Sequence, residues 1–227
     1  MSSPPAKLGP VQRTVKIAFA DLQKHRKRWQ DIVDDGTTVA NALANSVLTA
    51  RSKEQKESLE DFIESLDDGE VEDESKAKIE SLKAELGDVI VKLETTLKKL
   101  QTIHLSLLSL YDETANNLGE EYIYTIPLFL TCPLETFGTP TPPQLLPANI
   151  QYPNTSKIAP VYQSKRILDM HVKEMALKRA IASGIPQIRN RKDAMLHISA
   201  WLQQPYLEEE VLEEVDELWS VETGAGE

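Results

Sequence analysis

From Ile79 to Leu110 apolar residues return every three or four positions with almost no interruption. Ile79, Leu86, Leu93, Leu100 and Leu107 are seven apart, and Leu82, Val89, Ile103 and Leu110 form a second line, with Thr96 its polar member. Ile90, Leu97 and Tyr111 widen the stripe on one side. A helical period sustained this long predicts one long helix with a single buried seam, whose core residues are Ile79, Leu82, Leu86, Val89, Leu93, Leu100, Ile103 and Leu107. Such a seam needs a second helix to cover it.

The chain offers one upstream. Val15, Leu22, Trp29, Leu43 and Ala50 lie on one heptad line, with Ile32, Val33, Val39, Ala40 and Val47 beside it. This spacing predicts a helix from about Thr14 to about Arg51, kinked at Gly36-Thr37-Thr38, where glycine costs about 1 kcal/mol of helix stability. A separate short helix is expected over Lys53 to Leu66, through Leu59, Phe62, Ile63 and Leu66, ending in an acidic connector over residues 67–74. Two helices of roughly 40 residues, about 60 Å each, would then fold back as an antiparallel hairpin. Parallel pairing with a second chain is the alternative.

Beyond Leu118-Gly119 the pattern changes: Pro127, Pro133, Pro140, Pro142, Pro143, Pro147, Pro153 and Pro160 exclude helix interiors and central strands. Glu121 to Phe137 reads as an apolar strap, and Gly138 to Pro153 as a looser linker. Helical spacing returns at Val161 to Ala182 and at Asp193 to Gln203, where Met195, Leu196, Ile198 and Trp201 recur and Asp193 is placed to cap. A last acidic helix carries Leu207, Val211, Leu212, Val215, Leu218 and Trp219. The expected class is all-α: a long antiparallel helical hairpin or coiled coil, a Pro-rich extended strap and C-terminal helices. Its organisation reads as a disordered lead over 1–11, the hairpin over 12–118, strap and linker over 119–160, a helical segment over 161–220 and a tail over 221–227.

Composition narrows the function classes. The formal net charge of -11, from 36 acidic and 25 basic side chains, disfavours direct contact with nucleic acid, which needs a cationic face. Cys132 is the lone cysteine, so neither an internal disulfide nor a thiolate metal site is expected. No secretory signal and no membrane span are read, which predicts a soluble intracellular protein.

The chemistry motifs are missing: no phosphate-cradling glycine loop, no His-Glu-x-x-His pair, no Cys-x-x-Cys. His25, His104, His171 and His197 sit on separate helical segments, and His104 reads as a satisfied residue at the seam's edge. Trp29 and Trp201 read as core anchors. The expectation is a non-enzyme with no metal or cofactor. Weak linear signals remain. Lys24, Arg26, Lys27 and Arg28 form a basic run, either a nuclear import signal or a solvated helix face. Ser3, Thr139 and Thr141 each precede proline as minimal kinase sites. Arg166-Ile167-Leu168-Asp169-Met170 fits a loose cyclin-docking pattern, although such docking uses extended peptide and these residues read as helical.

Several blocks resemble a known family. Ile167 to Ala182, then Ser199-Ala-Trp-Leu-Gln-Gln-Pro-Tyr206, is similar to the cyclin-dependent kinase 2-interacting protein (CINP) family. Trp29-Gln-Asp-Ile with Gly36 to Asn45, and Pro127-Leu-Phe with Thr131, Pro133 and Phe137, resemble further blocks in the same order. The connector and the 138–153 linker differ from the family. The resemblance implies a nuclear adaptor, also present in cytoplasm, that serves DNA replication, the cell cycle, DNA repair, checkpoint signalling and ribosome maturation. Its implied partners are a cyclin-dependent kinase, an origin-firing kinase, subunits of an AAA+ ATPase complex and a small helical co-subunit. The surface it implies is Trp201, Leu202, Pro205 and Tyr206 with Lys173, Glu174, Leu177, Lys178 and Arg179. The rival for those residues is internal packing of the C-terminal helices. The rival function is a generic coiled-coil scaffold, a homodimer joined through Leu86, Leu93 and Leu100.

Overall fold

The computed structural model describes residues 9–60, 69–118 and 159–223. These form α1 (Pro10–Glu60), α2 (Gly69–Leu118), α3 (Ala159–Gly184), a 3-10 turn (Ile185–Gln187), α4 (Arg191–Gln203) and α5 (Glu209–Thr223). No strand occurs among the described residues, so the all-α expectation holds. Residues 1–8 of the lead, with Ser3, and residues 119–158 of the strap and linker, with Cys132, Thr139 and Thr141, lie outside the described residues, whereas Pro10 and Val11 already belong to α1 and Ala159 and Pro160 to α3. No described helix is long and apolar enough to cross a membrane.

Two boundaries need correction. α1 is continuous from Pro10 to Glu60, with neither a break at Gly36 nor a separate helix starting at Lys53. Propensity is a weak prior, and the buried face of this helix outweighs the cost of one glycine. α2 begins at Gly69, so residues 69–74 of the expected connector are helical.

The chain divides into two compact units. One holds residues up to His25, Lys99–Asp169 and Glu208 onward; the other holds Arg26–Lys98 and Met170–Leu207. The start of α1 thus shares a unit with the end of α2, the antiparallel arrangement expected of a hairpin. In the second unit the core comprises Trp29, Ile32, Val33, Ala40, Leu43, Ala44 and Val47 from α1 and Leu86, Val89 and Leu93 from α2. Met175 and Ile181 of α3, Ile185 and Ile188 between the helices, and Ala194 and Trp201 of α4 complete it. In the first unit Val15, Phe19 and Leu22, Leu100 and Leu107, Val161 and Ile167, and Val211 and Val215 are buried.

The seam is therefore covered within one chain. Leu86, Leu93 and Leu100 are no more than 2% exposed. Leu86, Leu93 and Leu100 are therefore not the contact of a homodimer, because residues already desolvated within one chain have no apolar area left to drive association. Thr96 sits in the seam at 5% exposure without an orphaned hydroxyl, since it donates to the carbonyl of Lys92 at 3.0 Å.

Candidate interaction surface

The segment joining α3 to α4 begins where Ser183-Gly184-Ile185-Pro186 stops the long helix. α4 restarts three residues after the 3-10 turn, and its N-cap is Asn190, whose side chain accepts from the Asp193 N–H at 2.9 Å. Asp193 is therefore not the cap that its position suggested. It occupies the third helical position and accepts from the backbone N–H of Arg189 at 3.2 Å, so the two side chains bond in both directions across the first turn.

What holds α4 in place is Trp201, fully buried. Its ring lies against Gly36, and its indole N–H donates to the Val33 carbonyl at 3.1 Å. A Cβ on residue 36 would stand 2.7 Å from both Trp201 Cζ2 and Val89 Cγ1. Gly36 is thus a notch for an indole rather than a hinge. Lys178 approaches from α3. Its ammonium donates to the Trp201 carbonyl and lies 4.9 Å from the ring centroid. Lys178 and Glu174 are both fully buried, with Nζ 3.0 Å from Oε1. Glu174 Oε2 accepts from the Tyr206 backbone N–H at 3.2 Å. Burial pushes the Lys178 ammonium below its ordinary pKa, and the Glu174 carboxylate opposes that shift.

The helix ends at Gln204, whose φ of 43° lies in the left-handed region that glycine usually fills. Glutamine is retained because its side-chain amide works on both sides. Oε1 accepts from Trp29 Nε1 at 2.9 Å, and Nε2 donates to Gln30 Oε1 at 2.6 Å. Trp29 in turn meets His171 edge-to-face, with centroids 5.0 Å apart.

The residues singled out from the sequence divide accordingly. Trp201, Glu174 and Lys178 face inward and build the fold, and Leu177 is half-buried against the core. Lys173, Arg179, Leu202, Pro205 and Tyr206 face outward, with Leu202 and Tyr206 at 50% and 45% exposure. Arg179 donates to Glu94 Oε1 at 2.9 and 2.7 Å. The outward set is larger than the sequence indicated. Met195 and Leu196, read there simply as apolar positions of a helix, are 62% and 69% exposed. A helical wheel separates them from Ala194, Ile198 and Trp201, but only the docked helix shows which side is covered.

Other sequence signals fall elsewhere. Lys24, Lys27 and Arg28 are exposed on α1 and Arg26 is half-buried. Arg166 of the cyclin-docking pattern is helical and pairs with Glu208 at 3.3 Å and Glu214 at 3.8 Å. Ile167 and Met170 of that pattern are buried, so it is not presented as an extended peptide. His104 is satisfied, as expected: Nδ1 lies 2.9 Å from Ser164 Oγ, and Ser164 donates onward to the Val161 carbonyl. No group of three or more metal-ligating side chains occurs among the described residues.

No protein-family model matches the chain. It is similar to three vertebrate proteins named cyclin-dependent kinase 2-interacting protein. The one from Bos taurus is 27% identical over 201 residues, covering 86% of this chain and 82% of its own length. The Homo sapiens protein is 26% identical with the same coverage, and that of Xenopus laevis is 24% identical over 90% of this chain and 85% of its own.

Proposed function

This chain is a divergent relative of the cyclin-dependent kinase 2-interacting proteins, and from that premise we propose that it is a non-enzymatic adaptor that binds a cyclin-dependent kinase. The observation that carries this reading is the reach of the likeness. It spans nearly all of the chain, so it takes in the helices that build both units rather than one seam. The fold supports the reading in a second way. A helix locked from behind by Trp201 presents Leu202 outward, and the turn that follows it presents Pro205 and Tyr206, and rigid aromatic anchors are what binding hot spots use.

The adaptor works, in this reading, in the nucleus, where it links the kinase, an origin-firing kinase and an AAA+ ATPase assembly with its small helical co-subunit to DNA replication and genome stability. Its role is positional: it brings partners together and carries out no bond chemistry of its own.

Affinity purification of the full-length tagged chain from nuclear extract tests this. A cyclin-dependent kinase should copurify with the wild type, and Tyr206→Asp combined with Leu202→Asp should reduce its recovery while leaving the melting temperature unchanged. Recovery of neither a cyclin-dependent kinase nor an AAA+ subunit by the wild type sinks the adaptor reading. Full retention by the double variant removes this surface from it.

A further inference from the structure

The outer face of α4 has chemistry of its own. Lys192, Met195, Leu196, Ser199, Leu202 and Gln203 are all exposed and follow helical spacing, so they form one stripe along the helix. Three of the six are large and apolar, each at least half exposed. Arg189, Arg191 and Lys192 crowd the N-terminal end of the stripe, all exposed. None of their side chains has a partner among the described residues, whereas Lys83, Lys165, Arg166 and Arg179 are paired. The one carboxylate within α4, Asp193, is engaged by the backbone N–H of Arg189. The stripe is therefore apolar along its length and cationic at one end, on a chain whose net charge is -11.

The geometry points to an acidic amphipathic helix, supplied by another protein, as the occupant of this face. This rests on the adaptor reading and adds to it the chemical class of partner. Three physical arguments select that class. A convex helical ridge of 13 residues, about 20 Å long, is matched by the groove of another helix, and no sheet edge is present among the described residues for strand addition. The unpaired cations, reinforced by the positive end of α4's own dipole, require anionic side chains opposite the first turn. The strong negative charge of the whole chain opposes an extended anionic surface such as a bilayer or a nucleic acid, yet tolerates a partner whose acids are confined to one stretch. The partner's leucine-type residues would then lie on Met195, Leu196 and Leu202.

Charge reversal at the end of the stripe gives a clean variant. Arg191 and Lys192 are the first two helical residues, and acidic side chains there favour the helix dipole, so Arg191→Glu with Lys192→Glu should fold at least as well as the wild type. The probe is a synthetic fluorescein-labelled helix with leucine at helical spacing and glutamate elsewhere, compared with the same peptide carrying lysine for glutamate. Anisotropy with the full chain should show saturable binding of the acidic peptide, weakened by added salt, and none of the basic one. The double charge reversal should raise Kd about tenfold or more and let the basic peptide bind in its place. Met195→Asp with Leu196→Asp should lose both. Equal binding of the two peptides, or unchanged affinity in the variants, overturns the inference. So does binding through these residues to phosphatidylserine vesicles in place of the peptide, or a wild-type dimer by light scattering that Leu196→Asp dissolves. Kinase recovery by the wild type, read in parallel, separates the two ideas. A kinase that copurifies while the acidic peptide fails to bind leaves the adaptor reading standing and removes only this partner class.

Discussion

Trp201 and Trp219 both tie a C-terminal helix to α1, and they do so by opposite means. Trp201 is fully enclosed, its N–H bonded to the Val33 carbonyl and its own carbonyl taken by a buried ammonium. Trp219 is half-exposed and stacks on Phe19 with centroids 5.1 Å apart and planes 16° from parallel. Around Trp219 the polar support is surface chemistry: Gln23 donates to Asp216 at 3.0 Å, and Arg166 reaches Glu208 and Glu214. One tryptophan is fixed by buried groups with specific partners, the other by stacking with part-buried and exposed polar contacts around it. Exposed pairs contribute about 0–1 kcal/mol, while breaking one partner of a buried pair costs about 3–5 kcal/mol. The stability of the two units should therefore respond to different perturbations.

The largest expected effect breaks the enclosed side. Trp201→Ala should cost about 3–5 kcal/mol, seen as a fall in the urea midpoint, because it deletes a large, fully buried core side chain. Trp219→Ala should cost clearly less, since that ring is only partly buried. Equal losses would erase the contrast.

Glu174→Leu comes next, at about 3 kcal/mol, because it leaves Lys178 buried without its anion. Adding Lys178→Met should restore most of the loss, since a buried ion pair replaced by apolar residues is often neutral. If the double variant is as unstable as the single one, the pair contributes specific geometry beyond charge cancellation.

Gly36→Ala sharpens the notch. In an open helix this change gains about 1 kcal/mol, but here the new methyl meets an indole and a valine, and overpacking of that kind costs about 1–3 kcal/mol. The expected outcome is a net destabilisation by thermal melt, and a gain would show that Trp201 can retreat.

The smallest effects are read by pH. Lys178 has a folded pKa below its ordinary 10.5, so in the window between the two values the unfolded chain holds more protons. Stability of the enclosed unit should rise with pH through that window, and the rise should vanish in Lys178→Met. Burial, with Lys165 nearby, lowers His104 below 6.5, and burial lowers His25 likewise. The unit holding them should lose stability as pH falls below 6.5, and His104→Gln should flatten part of that loss. Hydrogen exchange of α2 amides either side of Lys98 resolves the two responses.

Much of this molecule was legible before its structure. The seam residues Leu86, Val89, Leu93, Leu100 and Leu107 are buried, and Trp29 and Trp201 are core anchors, because apolar periodicity reports which side of a helix must leave water. The helix stops at Gly184 and Pro205 were also readable from local backbone preference. The packing on Gly36 was not legible, since propensity scores a glycine without knowing which ring will lie on it. Asn190 was passed over as a cap in favour of Asp193, three residues later, where both residue types suit the position. The outward roles of Met195 and Leu196 were hidden for a related reason: an apolar residue on a short helix carries no label for the side that is covered.

The sequence by itself determined the helices, their apolar faces and the likeness to proteins named cyclin-dependent kinase 2-interacting protein. Those properties are written in spacing and in local chemistry, and neither needs knowledge of distant residues. The tertiary structure alone decided that the seam closes within one chain and that Gly36 receives Trp201. It also decided that Glu174 and Lys178 are spent inside while the cations and apolar side chains of α4 remain outside. Each of these depends on residues from 4 to 168 positions apart meeting in space, and a pattern along the chain holds no record of such meetings.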